Sequence, residues 1–124
     1  MKTAIIIPCY NEEKRIDQAA FKAFIAQSEN HHLCFVNDGS KDQTLNVLKS
    51  IQHSNPEKVT VIDMKRNSGK AAAVRAGARY LYSQENVQHI GFMDADLSTD
   101  FEDFMALDQT LKTNKNLKMV FGSR

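Results

Sequence analysis

Five short apolar runs, separated by stretches of helical periodicity, constrain the fold of this chain more than any other feature of its sequence. The runs cover residues 3–7, 33–36, 59–62, 90–93 and 118–121. Within each run the apolar residues follow one another almost without alternation, which is typical of strands covered on both faces. Strands that alternate with helices predict a three-layer α/β/α fold around a mainly parallel, doubly wound sheet with right-handed crossovers.

Four amphipathic helices are predicted between the strands. Their apolar positions are Ile16, Ala20, Ala23 and Phe24; Leu45, Leu48 and Ile51; Val74, Gly77, Ala78 and Leu81; and Phe101, Phe104, Leu107 and Leu111. Each set has the spacing that places its members on one face of a helix. Ser40 with Gln43, and Thr99 with Glu102, have the spacing of a capping box and predict the starts of the second and fourth helices.

Composition and charge limit the class of protein. At 124 residues, with 42% hydrophobic and 25% charged residues, the chain has the size and composition of one globular domain. Its formal net charge of +1, without a basic stripe, argues against a nucleic-acid partner. The apolar runs are too short to span a membrane, and no signal peptide precedes the first strand. Cys9 and Cys34 lack metal or redox spacing, so we expect buried, reduced thiols and a cytoplasmic location.

The ligand site of a doubly wound sheet is expected beyond the carboxyl ends of its strands, where the strand order reverses. The segments that follow the first four runs include residues 8–12, 37–40, 63–67 and 94–96. These segments are rich in carboxylates and amides, which accept and donate hydrogen bonds and, for carboxylates, bind cations. The sequence therefore predicts a polar crevice at this edge of the sheet.

Asp94 and Asp96 make up the most informative of these segments. Two carboxylates this close repel each other unless a cation or hydrogen bonds compensate. A hard divalent ion, Mg²⁺ or Mn²⁺, held by carboxylates together with substrate phosphates is the natural compensation. The alternative is that Asp96 only caps the helix that follows. Together with the other segments, the pair predicts a metal site formed by Asp94 and Asp96.

Asp38 and Lys70 are candidates for binding a nucleotide. A carboxylate at the end of the second strand can accept a hydrogen bond from a base N–H or a ribose hydroxyl. Alternatively, it forms an Asx turn that leads into a helix cap at Ser40. Lys70 opens the third helix, whose first amides favour an anion such as a diphosphate. Arg75 is a second candidate on that helix, and either cation is alternatively a solvated surface residue.

The loop after the first strand supplies a third group of candidates. Tyr10 can lie against a base, and Glu12 can accept hydrogen bonds from ribose hydroxyls or from a base donor. As an alternative, Asn11 is a helix N-cap, and the acidic residues after it simply suit the positive end of that helix. Both interpretations stay open at the level of the sequence.

Taken in their order along the chain, these segments resemble the family-2 inverting glycosyltransferases, which have the GT-A fold. The matching residues are Pro8-x-Tyr10-Asn11-Glu12, Asn37-Asp38-Gly39-Ser40 with Asp42 and Thr44, Asn67-x-Gly69-Lys70 with Arg75 and Gly77, Asp94-Ala95-Asp96-Leu97-Ser98, and Phe121-Gly122-Ser123-Arg124. Each segment alone is weak evidence, but the ordered set is specific and spans nearly the whole chain. The lysine-containing third motif and the Asp-Ala-Asp-Leu run are most similar to the polyprenyl-phosphate sugar synthases, of the dolichyl-phosphate mannose or glucose type.

The resemblance implies a UDP- or GDP-sugar donor. Asp38 would contact the base, Asp94 would help to hold ribose or metal, and Asp96 would bind the metal that bridges the diphosphate. The candidate nucleotide-binding residues are Pro8, Tyr10, Glu12, Asp38, Lys70, Arg75 and Asp94. Two positions depart from the family pattern: Ala71 replaces a second glycine after the lysine, and Ser98 replaces a glutamine that some members carry near the metal.

The implied reaction is metal-dependent transfer of a sugar, with inversion, in glycan or cell-envelope biosynthesis. The acceptor would be a polyprenyl phosphate or a glycan, and the metal would neutralise charge on the departing diphosphate. Family members continue past residue 124 with acceptor-site strands, a catalytic carboxylate and often membrane helices. We therefore expect residues 1–124 to be the nucleotide-sugar-binding part, with the catalytic base beyond Arg124. Alone, this part would bind donor without turnover, and the full-length protein would lie at the cytoplasmic face of a membrane.

Three alternative functions fit the sequence less well. A phosphorylation-dependent receiver domain shares the length and the alternating pattern and would use Asp63 as phosphoacceptor, but the residues it requires after the first, fourth and fifth strands are replaced. A dinucleotide-dependent oxidoreductase needs Gly-x-Gly-x-x-Gly after the first strand, and residues 8–13 contain no glycine. A non-catalytic binding module with the same fold is disfavoured by the intact Asp94 and Asp96.

Overall fold

The computed structural model describes residues 2–84, 87–93, 95 and 119–121. Within these ranges the chain forms five strands and three helices: β1 (Lys2–Cys9), α1 (Gln18–Gln27), β2 (His31–Asp38), α2 (Thr44–Ser54), β3 (Val59–Met64), α3 (Lys70–Tyr82), β4 (Val87–Phe92) and β5 (Met119–Phe121). Each apolar run predicted to be a strand overlaps one of these strands. The fourth predicted helix, with Thr99 and Glu102 at its start, lies outside the described residues.

The described strands are all parallel and lie in the order β3-β2-β1-β4-β5. The chain moves outward from β1 to β2 and β3, and then returns across the sheet through α3 to place β4 on the other side of β1. The strand order therefore reverses between β1 and β4, where a ligand crevice is expected. The predicted doubly wound α/β fold is confirmed.

Both faces of the sheet are covered, which explains why the apolar runs do not alternate with polar residues. Ile5 and Ile7 of β1 belong to the cluster that includes buried residues of α1 and α2, whereas Ala4 and Ile6 belong to the cluster of α3. These four residues are at most 1% exposed. The sheet is thus the middle of three layers, with α1 and α2 on one face and α3 on the other.

The buried face of α1 differs from the predicted one. Phe21 and Ile25 are fully buried, whereas Ala23 is exposed and Ile16 precedes the helix. The Phe21 ring meets the Phe35 ring of β2 edge to face, with 5.2 Å between the centroids. Phenylalanine and isoleucine bury more apolar area than alanine, so they determine which side of the helix turns inward.

Gly77 allows α3 to lie close to the sheet. A Cβ at this position would come within 2.8 Å of Ile6 Cγ2 and 3.3 Å of Val36 Cγ2. The close approach brings the amino end of α3 next to the carboxyl ends of β1 and β2, where the candidate site is formed. None of the described helices is both long and apolar enough to cross a bilayer.

Candidate functional site

A cavity of about 420 Å³ opens at the carboxyl ends of β1 and β2, beside the amino end of α3. Its volume is within the range of roughly 300–1,000 Å³ that is usual for small-molecule sites. The cavity is lined by Pro8, Cys9, Tyr10, Glu12, Asp38, Asn67, Gly69, Lys70 and Ala95. Five of the candidate nucleotide-binding residues are therefore brought together: Pro8, Tyr10, Glu12, Asp38 and Lys70.

Five hydrogen bonds, called the clasp below, join the loop after β1 to the segment between β2 and α2. Three successive amides of the loop donate to side chains of that segment: Asn11 N to Ser40 Oγ at 2.9 Å, Glu12 N to Thr44 Oγ1 at 2.9 Å and Glu13 N to Asp42 Oδ2 at 3.3 Å. Two amides donate in the opposite direction: Lys41 N to Asn11 Oδ1 at 2.9 Å and Gln43 N to Glu13 Oε1 at 3.2 Å. These reciprocal bonds hold the loop that carries Tyr10 and Glu12 into the cavity wall.

The predicted helix cap at Ser40 is wrong, because Ser40 takes part in the clasp. The Ser40 hydroxyl accepts from the β1 loop, and α2 begins at Thr44, whose N–H donates to Asp42 Oδ1 at 2.9 Å. The alternative cap at Asn11 is also wrong, since α1 is capped by Asp17. A short polar side chain bonds to whichever backbone donor the tertiary fold brings near, and a capping pattern in the sequence does not reveal that donor.

Asp42 is held in its ionised form by this network. Desolvation raises the pKa of its carboxyl, but hydrogen bonds from the side chain and backbone of Thr44 and from the Glu13 amide outweigh that effect, so the pKa is lowered. A carboxylate is a stronger acceptor than a neutral carboxyl group. The clasp therefore depends on Asp42 staying charged.

Asp38 lies at the cavity wall with its carboxylate turned to the loop before α3. Only 3% of the residue is exposed. Its Oδ1 accepts the Ser68 N–H at 2.7 Å, and its Oδ2 accepts the Gly69 N–H at 2.9 Å and the Asn67 side-chain amide at 3.1 Å. Of the roughly four acceptor positions of a carboxylate, one is left for a ligand.

The amino end of α3 faces the cavity through Gly69 and Lys70. Gly69 precedes the helix at φ +100°, a backbone conformation that residues other than glycine rarely adopt. The Lys70 Nζ lies 5.6 Å from the centroid of the Phe92 ring of β4, in cation–π geometry. A cation and the positive end of a helix dipole therefore lie together at one end of the cavity, a combination that favours an anion.

Glu12 and Cys9 line the cavity near its β1 wall. The Glu12 Oε1 lies 3.8 Å from Arg15 NH1, an ion pair that the sequence analysis did not anticipate. Burial, and then the neighbouring Glu12 carboxylate, raise the pKa of the Cys9 thiol far above its usual range. Burial also raises the pKa of Cys34 to about 12. Both cysteines are free, buried thiols, as predicted.

Asp94 and Asp96 lie outside the described residues. Ala95, which stands between them in the chain, is 2% exposed and lines the cavity. Among the described residues no group of three or more His, Cys, Asp or Glu side chains is arranged to hold a metal ion. The predicted metal ligands, Asp94 and Asp96, are therefore not tested by the described residues.

Arg75 is not brought to the cavity. Arg75 is exposed on α3 and does not line the cavity. Asn67, by contrast, lines the cavity and donates to Asp38, although the sequence assigned it no individual role. The position of Asn67 in the Asn67-x-Gly69-Lys70 segment is the sequence feature that could have indicated a role in the site.

A second cavity, of about 310 Å³, lies beside the carboxyl ends of β2 and β3. Asp63, the predicted phosphoacceptor of the receiver alternative, is part of its wall. The Asp63 Oδ1 accepts from Asn37 Nδ2 at 3.0 Å, and its Oδ2 lies 3.3 Å from Lys65 Nζ. The Asp63 side chain is 31% exposed, so part of its carboxylate faces solvent.

The chain is similar in sequence to one known protein family and to curated proteins. The family model described as Glycosyl transferase family 2 matches residues 4–119. The uncharacterized glycosyltransferase YkcC of Bacillus subtilis is 36% identical over 124 residues, which cover 98% of this chain and 36% of the relative. The dolichyl-phosphate beta-glucosyltransferase of Mus musculus is 37% identical over 117 residues, which cover 87% of this chain and 35% of the relative. The chain thus spans little more than a third of the length of these relatives.

Two solved structures show the same fold. The mannosyltransferase PcManGT of Pyrobaculum calidifontis, in complex with GDP-Man and Mn²⁺, has a TM-score of 0.63 at 20% identity, covering 77% of this chain and 27% of its own. Residues 1–349 of S. aureus TarS have a TM-score of 0.64 at 22% identity, covering 91% of this chain and 33% of their own. The expected GT-A fold is confirmed by these likenesses, and the family match extends over nearly the entire sequence. The chain belongs to glycosyl transferase family 2.

Proposed function

We propose that this chain binds a nucleoside-diphosphate sugar and that its protein transfers the sugar to an acceptor with the help of a divalent cation. The observation that carries the proposal is the convergence of the β1 loop, Asp38 and the amino end of α3 on one cavity beside Ala95. Those elements come from three separate parts of the sequence and meet where a doubly wound sheet binds its ligands.

The nucleoside is proposed to lie against the β1 loop and Asp38. Tyr10 is 42% exposed at the cavity, which leaves its ring able to stack on a base. The remaining acceptor position of the Asp38 carboxylate suits a base N–H, and the Glu12 carboxylate suits a ribose hydroxyl. Pro8 adds a rigid apolar wall.

The diphosphate is proposed to lie at the amino end of α3. Lys70 and the helix dipole supply positive charge there. The solved relatives in complex with GDP-Man and with UDP-GlcNAc support a donor of this class.

A Mg²⁺ or Mn²⁺ ion is part of the proposal, with Asp94 and Asp96 as its ligands. The fit rests on the position of Ala95, since the backbone between the two carboxylates lies at the cavity wall. When bound, the cation would neutralise charge that develops on the departing diphosphate. The chain's own contribution to the same end is the Lys70 ammonium, which offers a second positive charge to the leaving group.

The acceptor is proposed to be a polyprenyl phosphate, as the names of the dolichyl-phosphate relatives suggest. In a transfer with inversion, an acceptor oxygen forms the new bond to the anomeric carbon on the face opposite the diphosphate, while the bond to the diphosphate breaks. An ionised phosphate oxygen attacks without losing a proton, so that no general base is required for this acceptor. A lipid-linked acceptor would be met at the cytoplasmic face of a membrane.

Calorimetric titration of the 124-residue chain with UDP and with GDP, each with and without Mn²⁺, tests the proposal. We expect binding of at least one nucleotide that strengthens about tenfold or more with Mn²⁺, because the cation bridges carboxylates and diphosphate. Asp96→Ala should remove the Mn²⁺ dependence. Asp63→Asn, in the second cavity, is the matched control and should bind like the parent.

Two results would contradict the proposal. One is the absence of binding by either nucleotide in the presence of Mn²⁺. The other is a Mn²⁺ dependence that Asp96→Ala leaves intact and Asp63→Asn removes. The second result would move the acidic site to the second cavity, as the receiver alternative requires.

A further inference from the structure

We infer that Asp38 is a positioning residue that fixes the loop of residues 67–69, and with it Lys70 and the first turn of α3, in the place where the diphosphate is received. The inference rests on the proposed nucleotide site and adds to it a link between the two ends of the cavity. From the sequence, Asp38 is expected to accept a hydrogen bond from a base N–H or a ribose hydroxyl, or to form an Asx turn, and no contact with the loop before α3 is predicted.

The hydrogen bonds of Asp38 are directed mainly at the loop. Both carboxylate oxygens are occupied by the N–H groups of Ser68 and Gly69, and the Asn67 side chain bonds both to Oδ2 and to the Asp38 carbonyl oxygen, each at 3.1 Å. Bonds from N–H donors to a carboxylate are about twice as strong as those between neutral groups. With 3% of the residue exposed, water competes little for them.

Close backbone packing at Gly39 also restricts the loop before α3. Gly39 follows Asp38 at φ +66°, and a Cβ there would lie 2.3 Å from Asn67 N and 2.6 Å from the Arg66 carbonyl carbon. Backbone atoms cannot yield to such a contact as a flexible side chain can. The end of β2 and the loop before α3 therefore touch directly, with no side chain between them.

The position of the charge agrees with this role. Gly69, the N-cap residue of α3, makes no side-chain cap hydrogen bond. The Asp38 carboxylate lies near the positive end of the helix dipole and binds the amides of the two residues that precede the helix, Ser68 and Gly69. Lys70, the next residue, lines the cavity. A shift of the loop would move Lys70 relative to the cavity, while the β1 loop with Tyr10 and Glu12 is held separately by its bonds to the segment before α2.

The test separates holding the loop from touching the base. Asp38→Asn keeps the shape of the side chain but places an N–H₂ group against one of the two loop amides. Gly39→Ala removes no polar side chain and displaces the loop sterically. For each variant, the affinity ratio of UDP to uridine and of GDP to guanosine is measured by titration. Hydrogen exchange of the Ser68 and Gly69 amides is measured without ligand. The controls are Arg79→Ala and Glu57→Gln, at exposed positions outside the loop.

We expect both Asp38→Asn and Gly39→Ala to speed exchange of the Ser68 and Gly69 amides by about tenfold or more, and to lower the diphosphate-to-nucleoside affinity ratio by about tenfold. In the double variant the two losses should not add, because both act through one loop. The controls should match the parent. If Asp38→Asn weakens nucleoside and nucleoside diphosphate equally, with loop exchange unchanged, Asp38 acts on the base only and the inference is wrong.

Failure of the proposed function gives a different result. A parent chain that binds neither nucleoside diphosphate refutes the nucleotide site. The exchange of Ser68 and Gly69 in the ligand-free chain still decides whether Asp38 holds the loop. Near-ultraviolet circular dichroism shows whether Gly39→Ala folds. If it does not fold, the affinity ratio of Asp38→Asn and the hydrogen exchange of its Ser68 and Gly69 amides decide the question without it.

Discussion

At the scale of single residues, much of the polar sequence serves to hold loops together. Ser40, Asp42 and Thr44 do not face the cavity, yet their oxygens bind the amides of the loop that does. The positive φ of Asn11, 51°, is part of the same turn and is tolerated because asparagine enters the left-handed region more easily than most residues. The shape of the candidate site thus depends on residues that do not line its cavity.

Asp42→Asn is expected to destabilise the chain through the clasp. The asparagine has a single acceptor oxygen, so bonds from Thr44 or Glu13 are lost, and the free energy of unfolding at pH 7 should fall by about 1 kcal/mol. Because the folded-state pKa of Asp42 is lowered, its contribution is complete above the ordinary carboxyl pKa of about 3.9 and disappears as the pH falls through the lowered value. The difference between parent and variant should therefore shrink on acidification.

Urea unfolding of parent and variant at pH 7 and at successively lower pH measures this difference. Glu57→Gln, at an exposed position outside the clasp, is the control and should stay within a few tenths of a kcal/mol of the parent. A stability difference for Asp42→Asn that grows on acidification would show that the clasp does not hold an ionised carboxylate.

The limits of sequence reasoning at this scale follow from the clasp. Spacing could place Pro8, Tyr10, Glu12, Asp38 and Lys70 after strands or at a helix start, and these residues do line one cavity. Spacing could not reveal that Ser40 bonds across 29 positions in the chain instead of capping its own helix. The partner of a short polar side chain depends on tertiary distance, which a local pattern does not contain.

At the scale of secondary structure, the strands were easier to predict than the helix faces. A strand covered on both sides leaves an uninterrupted apolar run, and each predicted run overlaps a strand. A helix with apolar residues on more than one side has no unique inner face, and in α1 contact with Phe35 selects Phe21. For α3 the close packing at Gly77 is the decisive contact.

Gly77→Ala is expected to lower stability although alanine favours a helix. The added methyl would lie 2.8 Å from Ile6 Cγ2, and Ile6 is a stiff, β-branched side chain with 1% exposure that cannot move aside easily. Overpacking of this kind costs about 1–3 kcal/mol, which exceeds the gain in helix propensity of about 1 kcal/mol.

The midpoint of urea unfolding measures the effect of Gly77→Ala. Arg79→Ala, on the exposed side of α3, tests the helix without touching the sheet and should leave the midpoint nearly unchanged. A stabilised Gly77→Ala would mean that α3 lies further from β1 and β2 than described, and the position of Lys70 would need revision.

At the scale of the whole molecule, function follows from the topology. The strand order reverses between β1 and β4, so the β1 loop and the segment after β4 share one edge, and α3 crosses behind them. The family match was foreseeable from the order of the polar segments along the chain. The hydrogen bonds of Asp38 to the loop before α3 were not, because they depend on the contact of β2 with a loop about thirty residues later.

The most direct test of a single metal–diphosphate site is the amide NMR spectrum of the chain with UDP or GDP and Mn²⁺. Paramagnetic broadening by the bound ion should be strongest for residues 68–70 and 94–96, weaker for the β1 loop, and weaker again at residues 63–65, which lie one strand further away. With Mg²⁺ the same signals should shift without broadening. Broadening centred on residues 63–65, or spread evenly along the chain, would contradict the account.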